Sequence, residues 1–315
     1  MLSQEKELTG LKVIFFLFGL SIMSWVPRFP EVKANLGLSN GEFGSLISLG
    51  VFGNVAALLT VGHLVHKFGA QLMMRISTLA FSTSIIILTQ TSSSFVFLIF
   101  MIVQGAGISA FHISINAQGF NFQDRTKRQV ITLLSGYWSS GALLTSVIAG
   151  ILVDLVSIEI HIAVLSILCL IIMLQTISTM TPNLLKSNEN PESDVKLGEI
   201  FKGFNFDMMV SGGLLCAIML EFAVSDWSAI FLKEDLGILS GIHTLPFILF
   251  TFTMIIGRLN FHRLLPHYSM QRLSQVASLI SGISFLIGIA AVSAVGIGNK
   301  TLTIIILSVS FSIAG

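Results

Sequence analysis

Long apolar segments separated by short polar ones run along the whole chain. A helix that crosses a bilayer needs about 20 mostly apolar residues, because the hydrocarbon core offers no partner to an unpaired backbone polar group. Segments of this kind fall near residues 11–27, 43–65, 72–90, 95–119, 129–153, 158–180, 207–232, 240–261, 270–293 and 301–315. The pattern predicts nine complete membrane-spanning helices and a tenth that has begun where the sequence stops.

The two ends of the chain and one long polar connection set the predicted organisation. The first segment does not have the pattern of a cleaved signal peptide, because two acids lie within residues 2–12 and no small-residue cleavage site follows. Residues 181–206 are rich in Pro, Asn, Ser and mixed charges, which is typical of a linker. We therefore predict a six-helix half (1–180), a cytoplasmic linker (181–206) and a second half (207–315) that is truncated in its fourth helix.

The basic residues predict the orientation, because cytoplasmic loops carry an excess of Lys and Arg. With the N-terminus inside, 13 of the 17 basic residues fall on the cytoplasmic side. Only four fall outside: Arg28, Lys33, Lys233 and Lys300. A single miscounted helix would destroy this bias, so it also supports the number of spans.

Composition narrows the class of protein. Hydrophobic residues make up 53% of the chain and charged residues 10%, against about 25% charged in soluble domains, and the mean hydropathy is +0.88. These values exclude a soluble enzyme and a disordered chain, and a net charge of +1 provides no basic patch for nucleic acid. The sequence shows no phosphate-binding loop, no metal-ligand spacing and no nucleophile with its base, so we expect neither a cofactor nor an enzymatic reaction.

The two predicted halves resemble each other at matching positions. Trp25 and Trp227 stand near the outer ends of the first and seventh spans. The following spans end in GHLVHKFGAQ (62–71) and GRLNFHRLL (257–265), where a Gly precedes a Leu by two residues and a His-basic pair follows. Gly and Leu are common in membrane helices, but their recurrence in the same loops favours an internal duplication.

Two six-helix halves joined by a cytoplasmic linker resemble the major facilitator superfamily of secondary transporters. That family carries the pattern G-x-L-x-D-R-x-G-R in the cytoplasmic loop between its second and third helices. Four positions match it here: Gly62, Leu64, Lys67 and Gly69. His66 replaces the Asp, so the resemblance implies that the position is retained but that any latch made there is weaker or pH-dependent.

Three stretches narrow the resemblance to a bacterial branch related to the fucose-permease-type sugar transporters. They are WVPRFPEVKANLGLSNGEFGSL (25–46), GAGISAFHISINAQG (105–119) and EFAVSDWSAIFLKEDLG (221–237). This branch commonly has an acid at the position of His112 and a His at that of Ser135, so proton-handling roles do not transfer directly. The resemblance implies a bacterial inner-membrane location.

Polar residues inside apolar spans are the candidates for chemistry, because a charge near the bilayer centre costs at least roughly 2.5–3.5 kcal/mol. Glu221 lies near the middle of the seventh span and is the deepest acid in the sequence. It is predicted to carry a proton or to accept a hydrogen bond from the solute. A neutral Glu that only pairs with a neighbouring helix is the alternative.

The fourth span carries Ser109, His112 and Asn116 at helical spacing and therefore on one face. His112 is predicted to be a proton relay, or else to bond a neighbouring helix together with Asn116. In the fifth span, Tyr137 and Trp138 could stack on a sugar ring or simply pack.

Residues that support the helix bundle are also predicted. The lone Asn54 is expected to make an interhelical hydrogen bond. Close helix approach is expected at several glycines: Gly105, Gly107, Gly136, Gly141 and Gly150.

Asp226 and Trp227 follow Glu221 towards the outer end of the seventh span. Five residues at about 100° each place Asp226 roughly 140° from Glu221, so the two acids do not share a face. Asp226 is predicted to meet Arg28 as an extracellular-side gate, with Trp227 beside it. The alternative is a solvated acid next to an interfacial Trp, which is the ordinary place for that residue.

Together these features predict an all-α polytopic bundle that acts as a secondary transporter, with a midplane site between its halves. A small polar solute, a sugar or related metabolite, would bind among Trp25, His112, Asn116, Trp138 and Glu221, with proton-coupled uptake by alternating access. The partners would be the solute, protons and the lipid bilayer, and the protein would act as a monomer. The alternatives are an exporter of a metabolite or toxic compound on the same fold, and a non-transporting membrane sensor.

Overall fold

A computed structural model describes residues 4–180, 208–238, 241–264, 267–295 and 299–315. Every regular element in these ranges is helical. The α-helices are α1 (Gln4–Ile22), α2 (Phe29–Leu36), α3 (Asn40–Ser48), α4 (Gly50–Phe68), α5 (Ala70–Gln90), α6 (Ser94–Thr126), α7 (Ile131–Leu152), α8 (Ile158–Thr179), α9 (Met208–Ile230), α10 (Leu245–Leu264), α11 (Met270–Val295) and α12 (Lys300–Ala314). The predicted linker, 181–206, lies outside the described residues.

The helices confirm the all-α polytopic fold. Each of the ten predicted spans coincides with one of them or with a continuous pair, and within the described ranges seven helical segments are long and apolar enough to cross a membrane. Two shorter apolar helices, Gly241–Gly257 and Lys300–Ala314, cover the eighth and tenth predicted spans. The hydrophobic pattern therefore locates the helices, because lipid allows hardly any other backbone structure.

The first span is bent where it leaves the predicted apolar segment. After α1 the chain forms a 3₁₀ turn, Val26–Arg28, and continues as α2. Pro27 occupies the first turn of this element, where a missing backbone N–H costs nothing. All three residues of the turn are buried, so the bend carries the side chain of Arg28 into the protein.

The chain folds into two compact units. Among the described residues, the first unit contains 4–21, 32–138 and 159–180, and the second contains 22–31, 139–158 and the residues from 208 onwards. The second unit therefore combines segments from both sides of the predicted linker.

Glycines and aromatic rings hold the first unit together. A Cβ on Gly53 of α4 would lie 1.9 Å from the carbonyl oxygen of Ile102 in α6, so these helices touch through their backbones. On the other side of α6, the rings of Phe18, Phe81 and Phe111 form a buried cluster with centroids 4.6–5.7 Å apart. The two contacts fix α6 between α4 and α5.

Polar contacts join helix ends that the charge pattern predicts to lie on one side of the membrane. In the first unit Arg125 donates to Glu7 at 2.6 Å, and Arg128 donates to Glu5 at 2.7 Å. The side-chain amide of Gln71 donates to the carbonyls of Ile177 and Met180 at 2.8 and 3.2 Å. Under the predicted orientation, all of these residues lie in cytoplasmic segments or at the cytoplasmic end of the sixth span.

The second unit has a core of its own, formed by α9, α10 and α12. Its buried members include Val224, Leu232, Phe250 and Phe311. Helices α11 and α12 are joined by reciprocal hydrogen bonds, in which the hydroxyl groups of Ser284 and Ser310 each donate to the other residue's carbonyl oxygen. Bonds of this kind replace the hydrophobic driving force that helices lack in lipid.

Candidate functional site

The polar face predicted on the fourth span lies on α6 and divides into two parts. Ser109 donates a hydrogen bond to the side-chain oxygen of Asn54 in α4 at 3.0 Å, which confirms the interhelical bond expected of Asn54. His112 is exposed, whereas Asn116 is half-buried and donates its amide to the backbone carbonyl of His112 at 2.9 Å. Ser109 therefore supports the helix packing, and His112 and Asn116 form the accessible part of the face.

An aromatic surface borders the accessible part. The imidazole of His112 stacks on the ring of Phe18 in α1, with centroids 6.1 Å apart and an interplanar angle of 27°. Phe18 is held in turn against Phe111 and Phe81 in the buried cluster. The imidazole thus has a fixed apolar support on one side, while its exposed edge keeps hydrogen-bonding capacity.

Trp138 approaches the same part of α1. A Cβ on Gly19 would lie 2.0 Å from the carbonyl oxygen of Trp138, so α1 and α7 touch through their backbones at this point. At the residue before Trp138, the ring centroid of Tyr137 lies 5.6 Å from the ammonium group of Lys12 in α1. The neighbouring residues Phe18 and Gly19 therefore bring His112 and Trp138 to the same stretch of α1, and Gly19 is a site residue that sequence reasoning did not identify.

Three predicted glycine contacts are confirmed. A Cβ on Gly105 would lie 2.2 Å from the carbonyl oxygen of Gly50, and a Cβ on Gly107 would lie 3.0 Å from the backbone nitrogen of Phe81. A Cβ on Gly150 would lie 2.5 Å from the hydroxyl of Thr244. Each helix pair approaches closely enough that only glycine fits without displacement.

The other predicted solute residues lie in the second unit. Trp25 is buried, 4% exposed, and its ring meets Phe29 edge to face at 4.8 Å. The structure therefore gives its ring a packing contact rather than an open surface. Glu221, in the interior of α9, is half-buried.

The predicted gate residues are found in different surroundings. Arg28 is 1% exposed, and its guanidinium forms a bidentate pair with Glu31 at 2.6 and 2.8 Å and donates to the carbonyl of Val156 at 2.8 Å. Asp226 accepts a hydrogen bond from the hydroxyl of Ser225 at 3.0 Å. Trp227 is 38% exposed, as expected for an interfacial ring.

No group of three or more His, Cys, Asp or Glu side chains in the described ranges is arranged to hold a metal ion. The polar side chains described above take part in hydrogen bonds, aromatic contacts and charge pairs.

The sequence profile of the Major Facilitator Superfamily matches residues 12–315. This chain belongs to that superfamily. Membership makes it a multi-pass membrane transporter, and it agrees with the helical fold described above.

Two curated relatives are similar to this chain over most of its length. An uncharacterized MFS-type transporter of Yersinia pestis is 24% identical over 283 residues, which cover 89% of this chain and 71% of the relative. The membrane protein MosC of Rhizobium meliloti is 23% identical over 315 residues, which cover 97% of this chain and 75% of MosC.

Solved structures show the same fold at low identity. A mutant of the nucleoside transporter NupG matches with a TM-score of 0.75 and 14% identity, over 98% of this chain and 79% of that one. A bacterial homologue of the human lysosomal transporter Spinster matches with a TM-score of 0.66 and 14% identity, over 99% of this chain and 73% of that one.

The superfamily's signature segment is helical here, which corrects the prediction of a loop. Gly62–Phe68 forms the last turns of α4, and only Gly69 leaves the helix, with a φ of +88° that favours glycine. His66 and Lys67 are exposed, and the Lys67 ammonium lies 5.5 Å from the ring centroid of Phe68. Polar side chains lower the hydropathy of this segment without lowering its helix propensity, so the hydropathy pattern ended the span too early.

Proposed function

We propose that this superfamily member carries a small polar solute, a sugar or related metabolite, into the cell together with a proton that moves down its gradient. The observation that supports it most is the accessible imidazole of His112, which stacks on Phe18 and lies on the polar face of α6. A polar group on a membrane helix is costly when it faces lipid, so this face is expected to meet water or solute.

The first unit supplies the recognition chemistry. His112 and Asn116 offer a hydrogen-bond donor and acceptor to solute hydroxyl groups, and the nearby Trp138 offers an aromatic face to the C–H side of a ring. The bond between Ser109 and Asn54 holds α6 against α4, so that the recognition groups stay in place.

Glu221 is proposed to carry the coupling proton. A carboxylate in the interior of a membrane helix is expensive while charged, and taking up a proton removes that cost. At about 100 mV one proton supplies roughly 2.3 kcal/mol, and one pH unit adds about 1.4 kcal/mol. Together these support a solute gradient of a few hundredfold, at one decade per about 1.4 kcal/mol.

A thermal-shift screen on the purified protein in detergent tests this function. The panel contains hexoses, pentoses, sugar acids, amino acids and, because NupG is a nucleoside transporter, nucleosides. A ligand at about 100 times its Kd stabilises the fold by roughly 2.7 kcal/mol. We expect a sugar or related compound to raise the Tm, more strongly at one end of the pH range, and Glu221→Gln to remove this pH dependence.

Matched variants separate the roles of the residues. His112→Ala should abolish the shift, whereas His267→Ala, which removes an exposed imidazole in a loop, should not. Asp235→Asn is the control for Glu221→Gln, because it removes an exposed acid in the turn that follows α9. A shift that survives Glu221→Gln with its pH dependence contradicts the coupling role, and silence across the panel contradicts uptake of a small polar solute and favours an exporter of larger compounds or a sensor.

A further inference from the structure

Two helix ends meet through glycine in the second unit. A Cβ on Gly241, in the 3₁₀ turn Gly241–Thr244 that precedes α10, would lie 2.1 Å from the carbonyl oxygen of Gly150 in α7. A Cβ on Gly150 would lie 2.5 Å from the hydroxyl of Thr244. Real Cβ atoms do not come so close, so a side chain at Gly241 would push the two backbones apart, and one at Gly150 would displace the side chain of Thr244.

The side chain of Asp154 makes a hydrogen bond across the same contact. Asp154 lies just beyond the end of α7 and is exposed, and its Oδ2 accepts a hydrogen bond from the backbone N–H of Gly241 at 3.2 Å. That N–H belongs to the first turn before α10, where backbone donors have no partner within the helix. The bond joins residues 87 positions apart, one before the predicted linker and one after it.

The segment that carries Asp154 also contacts the bend after α1. Val156, two residues further on, accepts the hydrogen bond from the buried guanidinium of Arg28 at 2.8 Å. Residues 154–156 therefore touch both the 3₁₀ turn after α1 and the 3₁₀ turn before α10. Under the predicted orientation, all three segments lie at the outer end of their helices.

We propose that Asp154 is the latch of an outer gate, and that the Gly150–Gly241 contact is the surface on which this gate closes. The proposal rests on the proposed transport by alternating access, since the two sides of the predicted linker must separate here for the protein to open outwards. The glycines allow the backbones to close, and the single charge-assisted hydrogen bond of Asp154 holds them. A latch made of one exposed bond is strong enough to bias the closed state and weak enough to be released.

The test measures opening directly and needs no solute. Thr244→Cys places a thiol at a position that is 1% exposed in the closed contact, in a background in which Cys169 and Cys216 are replaced by Ser. A membrane-impermeant maleimide then reports, in membranes of known sidedness, how often the contact opens. Because a charged hydrogen bond contributes about 1.5–3 kcal/mol when protected and less when exposed, Asp154→Ala should raise the labelling rate about three- to tenfold.

Further variants make each outcome decisive. Gly241→Ala should raise the rate as well, because its methyl group displaces the carbonyl of Gly150, and Asp154→Asn should raise it less than Asp154→Ala, because the amide oxygen still accepts. Asp235→Ala removes an exposed acid elsewhere in the second unit and should leave the rate unchanged. The proposal is overturned if Asp154→Ala labels no faster than Asp235→Ala, or labels faster only from the side of the N-terminus.

This result is independent of the solute. A faster rate in Asp154→Ala combined with no transported compound would keep the latch and reject the proposed function, whereas a measured transport with unchanged labelling would do the opposite. If Asp154→Ala fails to give folded protein, Asp154→Asn and Gly241→Ala carry the same comparison.

Discussion

Arg28 is the most deeply buried charge in the described part of the chain, with 1% of its side chain exposed. The guanidinium donates from Nε and Nη2 to the two carboxylate oxygens of Glu31, and Nη2 donates a further hydrogen bond to the carbonyl of Val156. The planar fork of Arg fits this arrangement in a way that the single ammonium group of Lys does not. Such pairs add little net stability when formed, but are costly to break from one side.

Replacing Arg28 therefore tests a single residue. Arg28→Met is expected to lower the free energy of unfolding by about 2–4 kcal/mol, because Glu31 and the carbonyl of Val156 lose their donor. Arg128→Met is the matched control, since its pair with Glu5 is largely solvent-exposed and exposed pairs contribute at most about 1 kcal/mol. Thermal unfolding in detergent measures both, and equal losses in the two variants would contradict the assigned role of Arg28.

At the scale of the elements, hydropathy and spacing predict the positions of the helices and the polar face of α6. They do not predict which helices touch. The contact of Gly19 with the backbone of Trp138 depends on the partner helix, and periodicity along α1 contains no information about α7. The burial of Trp25 is missed for a related reason, because the bend at Pro27 turns a residue expected near the outer end into the protein.

The pair of α4 and α6 gives a prediction at this scale. Gly53→Ala is expected to cost about 1–3 kcal/mol of stability, because the new methyl group meets backbone atoms of Ile102 and Ala106 that cannot rotate away. Gly62→Ala in the same helix meets nothing within 4 Å and should stabilise by about 0.5–1 kcal/mol. Thermal unfolding of the two variants in parallel decides, and a Gly53→Ala protein as stable as Gly62→Ala would contradict the close approach.

For the whole molecule, the sequence predicts two halves divided by a linker, while the second compact unit combines segments from both sides of it. The second unit takes in residues 22–31 and 139–158 through contacts such as that of Asp154 with Gly241. Contacts between helix ends so far apart in sequence depend on how the helices pack in the folded protein. The internal duplication predicted from the sequence does not determine these contacts.

The orientation is testable on the whole molecule. Ser92 lies between α5 and α6 and Gln129 between α6 and α7, and both are exposed, so a single crossing by α6 places them on opposite sides. In a background without Cys169 and Cys216, Ser92→Cys should react with an impermeant maleimide in intact cells, and Gln129→Cys only after permeabilisation. Neither change removes a basic residue, so the charge bias that predicts the orientation stays intact. The reverse pattern would place the N-terminus outside.

Gln71 lies two residues after Gly69, at the start of α5, and its amide donates hydrogen bonds to the carbonyls of Ile177 and Met180 at the end of α8. The covalent path towards the second half of the sequence leaves from this point. A force applied to the chain after α8 would therefore act first on the two hydrogen bonds of Gln71, and only then on the apolar packing of α8. The start of α5 thereby acts as a fastening for the end of α8.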